Sequence, residues 1–366
     1  MKKWMKIIGL VQLILACSVV PVVSDVTITN LAVAQRPGTK LMDITYDVSS
    51  TTTNQVSMSL MVSNGASAVI ANTLTGDIGW PVATGTGKSM AWNMGTDWNG
   101  NSSTLTYALK ADETPHPQGM VQIPAGTNSS TDPDFGAYSL TNASLFYMDE
   151  TEVTKVQWDS VYNWALTNGY SFDYVGSGKA TNHPVQTVNW YDTVKWCNAR
   201  SQKEGRTPCY TTNGVVYKTG KNTNVACNVF SSGYRLPTVA EWEYAARGGL
   251  SGKRFPWGDT ITHSQANYTS TNAYSYDTST TRGFHPTYST GSTPYTSPVR
   301  SFSANGYGLY DMAGNVWEWC NDSLGSGRGY RGGHWSYYAS YARCGRVGWG
   351  NPDYGNYAGG FRAVCR

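Results

Sequence analysis

Asn305-Gly-Tyr-Gly-Leu-Tyr-Asp-Met-Ala-Gly-Asn-Val-Trp-Glu-Trp319 is the stretch from which the rest of the chain is read. Gly306, Gly308 and Gly314 permit tight backbone paths, and Tyr307, Tyr310, Trp317 and Trp319 bring large areas to bury. Together they describe a hard turn pressed into a core. Asp311, Glu318 and several carbonyls fall within the same short loop, and oxygens gathered in that way suit a hard cation such as Ca2+ better than they suit catalysis. The plainer alternative is a buried turn whose carboxylates cap neighbouring amides.

Upstream, Arg235-Leu-Pro-Thr-Val-Ala-Glu-Trp-Glu-Tyr-Ala-Ala-Arg-Gly-Gly249 is the clearest helix signal in the chain. Thr238 and Glu241 form a capping box and Gly248 a stop. Trp242, Tyr244 and Ala245 are predicted to pack inward, and Arg235, just before the cap, to pair with a buried acid. Two further helices are predicted. One covers about Lys155 to Thr167, with apolar contacts from Val156, Trp158, Val161, Trp164 and Leu166; the other covers about Trp190 to Lys203, before Gly205. From Phe255-Pro-Trp-Gly-Asp259 to Asn305 the chain is rich in Ser, Thr, Tyr and Gly and has almost no helical period. Its aromatic frequency argues for a long packed loop of the functional or metal-bound kind rather than disorder.

At 366 residues the chain is long enough for two domains. Charged residues make up 14% and the net charge is +3 without a basic run, so the electrostatic footprint of a nucleic-acid binder is missing. Residues 25–113 alternate in the strand period, in runs such as Leu41-Met-Asp-Ile-Thr-Tyr-Asp-Val48 separated by Arg36-Pro-Gly-Thr and Asn99-Gly-Asn turns. Short alternating strands at this spacing indicate an antiparallel β-sandwich of the immunoglobulin or fibronectin type. The segment holds no His and no Cys, which favours a spacer or adhesion module over a catalytic one. Residues 114–118, rich in proline, form a stiff linker, with His116 solvated within it.

Residues 1–24 combine a charged start, an apolar run from Ile7 to Val20 and a small residue at Ser24, as in a secretory signal too short to span a membrane. The mature protein is therefore expected to be secreted or held in the cell envelope, and Ile14-Leu-Ala-Cys17 loosely matches a lipoprotein box that would lipidate Cys17. Six cysteines remain: Cys197, Cys209, Cys227, Cys320, Cys344 and Cys365. An even count in an exported chain points to disulfides, and no spacing among them suggests zinc. Cys209 and Cys227 bracket a hairpin-like segment that turns at Asn213-Gly214, which favours joining them; the other partners stay open at this level.

The motifs in order are Val121-Gln-Ile-Pro-Ala-Gly126, Asp149-Glu-Thr-Glu-Val-Thr154, His183-Pro-Val-Gln-Thr-Val-Asn-Trp-Tyr-Asp192, the Arg235 helix, Phe255-Pro-Trp-Gly-Asp259, the Asn305 stretch, Arg331-Gly-Gly-His-Trp335 and Gly359-Gly-Phe-Arg362. This series resembles the formylglycine-generating enzyme family, also called sulfatase-modifying factors, across roughly residues 119–366. The resemblance implies a loop-rich α+β domain of the C-type lectin-like fold behind the β-sandwich. It implies Ca2+ at Asp311 and Glu318 by side chain and at Gly314 and Val316 by carbonyl. A second site is implied at Asn267 and Tyr268, with Asp277 as a further acid. It also implies a disulfide from Cys197 to Cys365, the latter displaced by two residues from the usual place, which leaves Cys320 to Cys344.

Aerobic members of that family oxidise a sulfatase cysteine with oxygen, using two cysteines that hold copper(I), a metal suited to soft thiolates. Those cysteines lie between the Arg-Gly-Gly and Gly-Phe-Arg motifs. Here the interval contains Cys344 alone, at a place that matches a structural cysteine, and Tyr, Ser or Ala stand around Ser336 to Tyr341. The resemblance therefore does not bring copper with it. A relative with nonheme iron takes histidines from an extra domain, and neither His183 nor His334 makes a metal centre alone. What the interval offers instead is Trp335, Ser336, Tyr337, Tyr338, Tyr341, Trp349, Tyr354, Asn356 and Tyr357, a composition typical of paratopes. Domains of this family also serve as diversified binding proteins with this same variable region. The sequence thus points to a binding protein for a protein or glycan ligand, against two alternatives: a formylglycine-generating oxidoreductase or another oxidase of the family, and aromatics that merely complete a core.

Overall fold

In the computed structural model of the chain, the residues described are 26–51, 53–63, 68–69, 71, 74–97, 105–112, 117 and 119–366. The signal segment, Cys17 and His116 lie outside them, as does all of the linker but Pro117. The chain divides into two compact units, Met1–Pro117 and Gln118–Arg366.

The first unit is antiparallel throughout its named strands. β1 (Thr27–Gln35), β2 (Leu41–Ser49), β7 (Gly85–Asn93) and β5 (Leu74–Gly76) form one sheet in the order β1-β2-β7-β5. In the other sheet β6 (Gly79–Ala83) and β4 (Ala68–Val69) share one edge of β3 (Gln55–Ser63), and β8 (Thr106–Asp112) takes the opposite edge. A one-turn helix, α1 (Met94–Asp97), follows β7. The period-2 pattern decides what is buried: Met42, Ile44, Tyr46 and Val48 of β2 point inward on alternate residues. They join Val56, Met58 and Val62 of β3 and Met90 and Trp92 of β7 in one apolar cluster fed by both sheets.

The second unit holds three longer helices: α2 (Lys155–Leu166), α3 (Trp190–Lys203) and α4 (Val239–Ala246). Each starts at a side-chain cap. Thr154 and Gln157 form a capping box, as do Thr238 and Glu241, and Asn189 accepts from the Asp192 amide. The buried face of α2 departs from the sequence expectation, because Val156 and Leu166 are 54% and 49% exposed. The helix packs instead through Trp158, Val161 and Ala165, with Trp158 stacked on Trp196 of α3 at 6.1 Å and Phe361 edge-on to both rings.

Short sheets close around these helices. β9 (Met120–Ile123), β12 (Phe146–Asp149) and β20 (Val364–Cys365) make one of three strands, and β10 (Gly126–Asp132) pairs with β11 (Gly136–Asn142). β13 (Tyr210–Thr212), β14 (Val215–Val216) and β15 (Ala226–Cys227) make the predicted hairpin, with Asn213 and Gly214 both at positive φ. β16 (Trp317–Leu324) continues the Asn305 stretch and lies between β17 (Gly327–Arg331) and β19 (Gly359–Gly360), with β18 (Gly348–Gly350) beyond β17. No helix or strand is named between Ala246 and Trp317. That long segment is nevertheless packed, burying Phe255, Ile261, Ala266 and Tyr268. The unit is thus β-rich with few helices and much irregular chain.

Candidate functional site

The Asn305 stretch is held by its own polar groups. Asn305 accepts from the Tyr307 and Leu309 amides and donates to the last carbonyls of α4, Ala245 and Ala246. Gly314 has φ +85°, and a Cβ there would stand 2.2 Å from the Asn267 carbonyl oxygen, so only glycine allows the two segments to touch. Glu318, fully buried, is held at both oxygens by Arg362 at 2.7 Å and by the Trp242 indole at 2.6 Å. Arg362 also donates to the Asp149 and Tyr310 carbonyls. Glu152 accepts from Asn315 and from the Val316 amide, while Asp311 accepts from the Arg300 amide. Burial, followed by the charges of Asp311 and Glu318, pushes the Glu152 carboxyl well above the usual range. Burial likewise raises Asp311 to about 6.

This geometry departs from the calcium set implied by resemblance. Glu318 is committed to Arg362, and the Asp277 carboxylate is filled by the Tyr268 hydroxyl, the Ser270 hydroxyl and the Thr271 amide. The Tyr268 carbonyl accepts from His263, and Gly314 itself bridges to Asn267. Among the described residues no group of three His, Cys, Asp or Glu side chains is placed to hold a metal. Of the expected ligands, Asp311 Oδ1 and Asn267 Oδ1 are the side-chain oxygens that are buried without a hydrogen-bond partner. The Glu318 oxygens, by contrast, are taken by Arg362 and Trp242.

The six cysteines among the described residues are free thiols. Cys197, Cys209 and Cys365 are buried in one core cluster with Cys227 against it, and Cys320 and Cys344 lie in another. Burial pushes the Cys227, Cys344 and Cys365 thiols up to about 12, which leaves them poor nucleophiles.

The expected groove resolves into two aromatic groups that meet at His334 and Trp335, whose rings are 6.2 Å apart. In the first, Tyr337 lies against His334 at 4.0 Å, Tyr341 at 4.5 Å and Trp317 at 5.8 Å. Ser336 turns its amide and hydroxyl to His334 Nδ1, and burial lowers that imidazole to about 3, so it is neutral at physiological pH. In the second, Trp335 contacts Tyr357, Tyr295 and Phe284 at 5.2–5.7 Å. Trp335 is 3% exposed and its indole N–H has no hydrogen-bond partner among the described residues. Tyr338 is exposed and held by a bridge from its backbone to Thr269. The other three residues do not join the groups. Trp349 and Tyr354 are exposed without a ring contact among the described residues, and the Asn356 side chain accepts from the Ala358 amide as a turn residue. Phe284, Tyr295 and Trp317 were not among the expected groove residues. The first two come from the irregular 255–305 segment, where no periodicity marks a facing side.

The matches to known proteins agree with this frame. Residues 106–366 match the model of the sulfatase-modifying factor enzyme 1-like domain, and the chain belongs to that family. It is 32% identical to the formylglycine-generating enzyme of Mus musculus over 288 residues, covering 67% of this chain and 74% of that protein. It is 36% identical over 200 residues to a protein of Paenibacillus barcinonensis called chaperone protein LppX, spanning 65% of its length. Among solved structures, variable protein 1 of Treponema denticola matches at 27% identity with a TM-score of 0.52, covering 68% of this chain and 94% of that one. CarF matches at 28% identity with a TM-score of 0.54, covering 68% of this chain and 98% of that one.

Proposed function

We propose that this chain is an exported, noncatalytic binding protein that uses the aromatic face around His334, Trp335, Tyr337, Tyr338 and Tyr357 to hold a protein or glycan ligand. The observation that carries it is the Trp335 indole N–H, a buried donor without a partner beside the half-exposed Tyr357 ring. An unpaired buried donor is costly, and a ligand acceptor would satisfy it. The absence of a second cysteine from the Arg331 to Arg362 interval supports the noncatalytic part, since copper(I) would lack its thiolate pair. In this reading the N-terminal unit is a sandwich-type spacer, calcium is structural at Asp311 and Asn267, and oxidation on export joins cysteines that are thiols here.

Identity to the mouse enzyme over two thirds of the chain favours the alternative, an oxidoreductase of the family. The two separate in one experiment. The reduced chain, loaded with copper, is incubated with a Cys-x-Pro-x-Arg peptide and the product examined by mass spectrometry. No aldehyde is expected, and its formation with turnover overturns the noncatalytic reading. For binding, the chain is screened on a glycan array and a displayed peptide library alongside a Tyr337→Ser, Tyr338→Ser, Tyr357→Ser variant. Exposed aromatic anchors typically carry about 2 kcal/mol or more each, so the variant is expected to lose every hit. Equal binding by the variant removes the face from consideration.

A further inference from the structure

A second concavity, with Tyr341 in its lining, has a volume of about 400 Å³, within the roughly 300–1,000 Å³ of small-ligand clefts. Its walls are two tyrosines from the irregular loop, Tyr274 and Tyr276, and the segment that carries Ser340, Arg343 and Arg346. The tyrosine rings stack at 5.4 Å with 14° between their planes, and Tyr276 is braced edge-on by Phe255, so they form a fixed flat wall. Two guanidinium groups, Arg343 and Arg346, line the cleft with one carboxylate, Asp134. Asp134 takes Arg254 and Arg343 at 2.9 Å each, and Arg343 also donates to the Ser340 carbonyl. Arg346 lies over the Tyr341 ring at 5.0 Å and has no carboxylate partner among the described residues. The next acids are already committed: Asp132 and Glu243 to Arg247, Asp277 to Arg282 and Asp259 to Lys253.

We propose that this cleft binds an acidic saccharide, with Arg346 pairing its anionic group and Tyr274 and Tyr276 stacking on its ring. The site shares Tyr341 with the first aromatic group but does not depend on the proposed function. A positive surplus in a concave wall draws anions, and a guanidinium fork matches a planar or tetrahedral oxyanion with two parallel hydrogen bonds. No aliphatic side chain lines the cleft. Two tyrosine rings stacked into one flat wall favour a ring presented to aromatic planes over an extended acidic peptide, which brings no ring to them. The anionic group can be a uronate carboxylate or a sugar sulfate, since both offer the same paired oxygens.

The test is calorimetry on the full chain with trigalacturonate, a sulfated disaccharide, neutral cellotriose and a triglutamate peptide. One or both acidic sugars bind, and added salt weakens them; the neutral sugar is at least roughly tenfold weaker, as expected for loss of one charged hydrogen-bonded contact, and the triglutamate peptide is weaker because it brings no ring to the tyrosine wall. Arg346→Ala weakens the acidic sugar by roughly 10- to 100-fold and Tyr274→Ala also weakens it. Val215→Ala, at an exposed hairpin position outside both sites, leaves it unchanged, and a melting curve shows that each variant is folded. The proposal is overturned if neither acidic sugar binds, if cellotriose or triglutamate binds equally well, or if Arg346→Ala behaves as the unaltered chain.

Discussion

Replacing Glu318 by Gln isolates the charge at the centre of the frame. The amide keeps the volume and an acceptor for the Trp242 indole, while Arg362, fully buried, loses the carboxylate it grips with two nitrogens at 2.7 Å. Breaking a buried pair by neutralising one partner costs roughly 3–5 kcal/mol, because the remaining charge stays desolvated. Near the middle of that range, a unit the size of Gln118–Arg366 should melt roughly 8–16 °C lower, at roughly 2–4 °C per kcal/mol. The assay is a thermal melt followed by near-UV circular dichroism, with and without calcium. A paired Glu318→Leu, Arg362→Leu variant should recover most of the loss, since removing both charges removes the uncompensated one. A fall below about 1 kcal/mol for the single variant would refute the reasoning and mean that Glu152 and Asp311, whose charges also favour the Arg362 cation, already balance it. Calcium is expected to stabilise Arg362→Met more than the unaltered chain, because the Glu318 oxygens are then released.

Gly314→Ala should destabilise by roughly 2–5 kcal/mol in denaturant unfolding, combining left-handed strain with displacement of the Asn267 carbonyl. Gly214→Ala, at φ +78° with nothing within 4 Å, should cost only about 1–2 kcal/mol; equal effects would show that the Asn267 contact is unimportant. The His334 imidazole is lowered by burial to about 3, so the unfolded chain takes up its proton first and stability is lost as pH falls below about 6.5. Between pH 6.5 and 5 that loss is roughly 2 kcal/mol, and His334→Gln should flatten the stability profile over the same window. Arg247→Lys should lower stability by roughly 1–3 kcal/mol, since one ammonium cannot reproduce the fork between Asp132 and Glu243; an unchanged denaturation midpoint would contradict this.

The sequence by itself determined what depends on a few neighbouring residues. Thr154, Asn189 and Thr238 started their helices because a cap needs only an oxygen two or three residues from the orphan amides. The alternation of β2 fixed its buried face, Asn213-Gly214 fixed its turn, and the motif series from Val121 to Arg362 fixed the family. That Arg362 takes both Glu318 oxygens was not legible, because it lies 44 residues away and no local pattern announces the pairing. The buried side of α2 was misjudged for a related reason: Trp158 on Trp196 sets the rotation of the helix, which left Val156 and Leu166 outside. Only the tertiary structure brought Phe284 and Tyr295 onto Trp335, and Tyr274 and Tyr276 opposite Arg346. The segment supplying those rings has no named helix or strand, so no period assigns its side chains to a face. Their positions follow from where the chain is led by distant contacts such as Asn267 against Gly314.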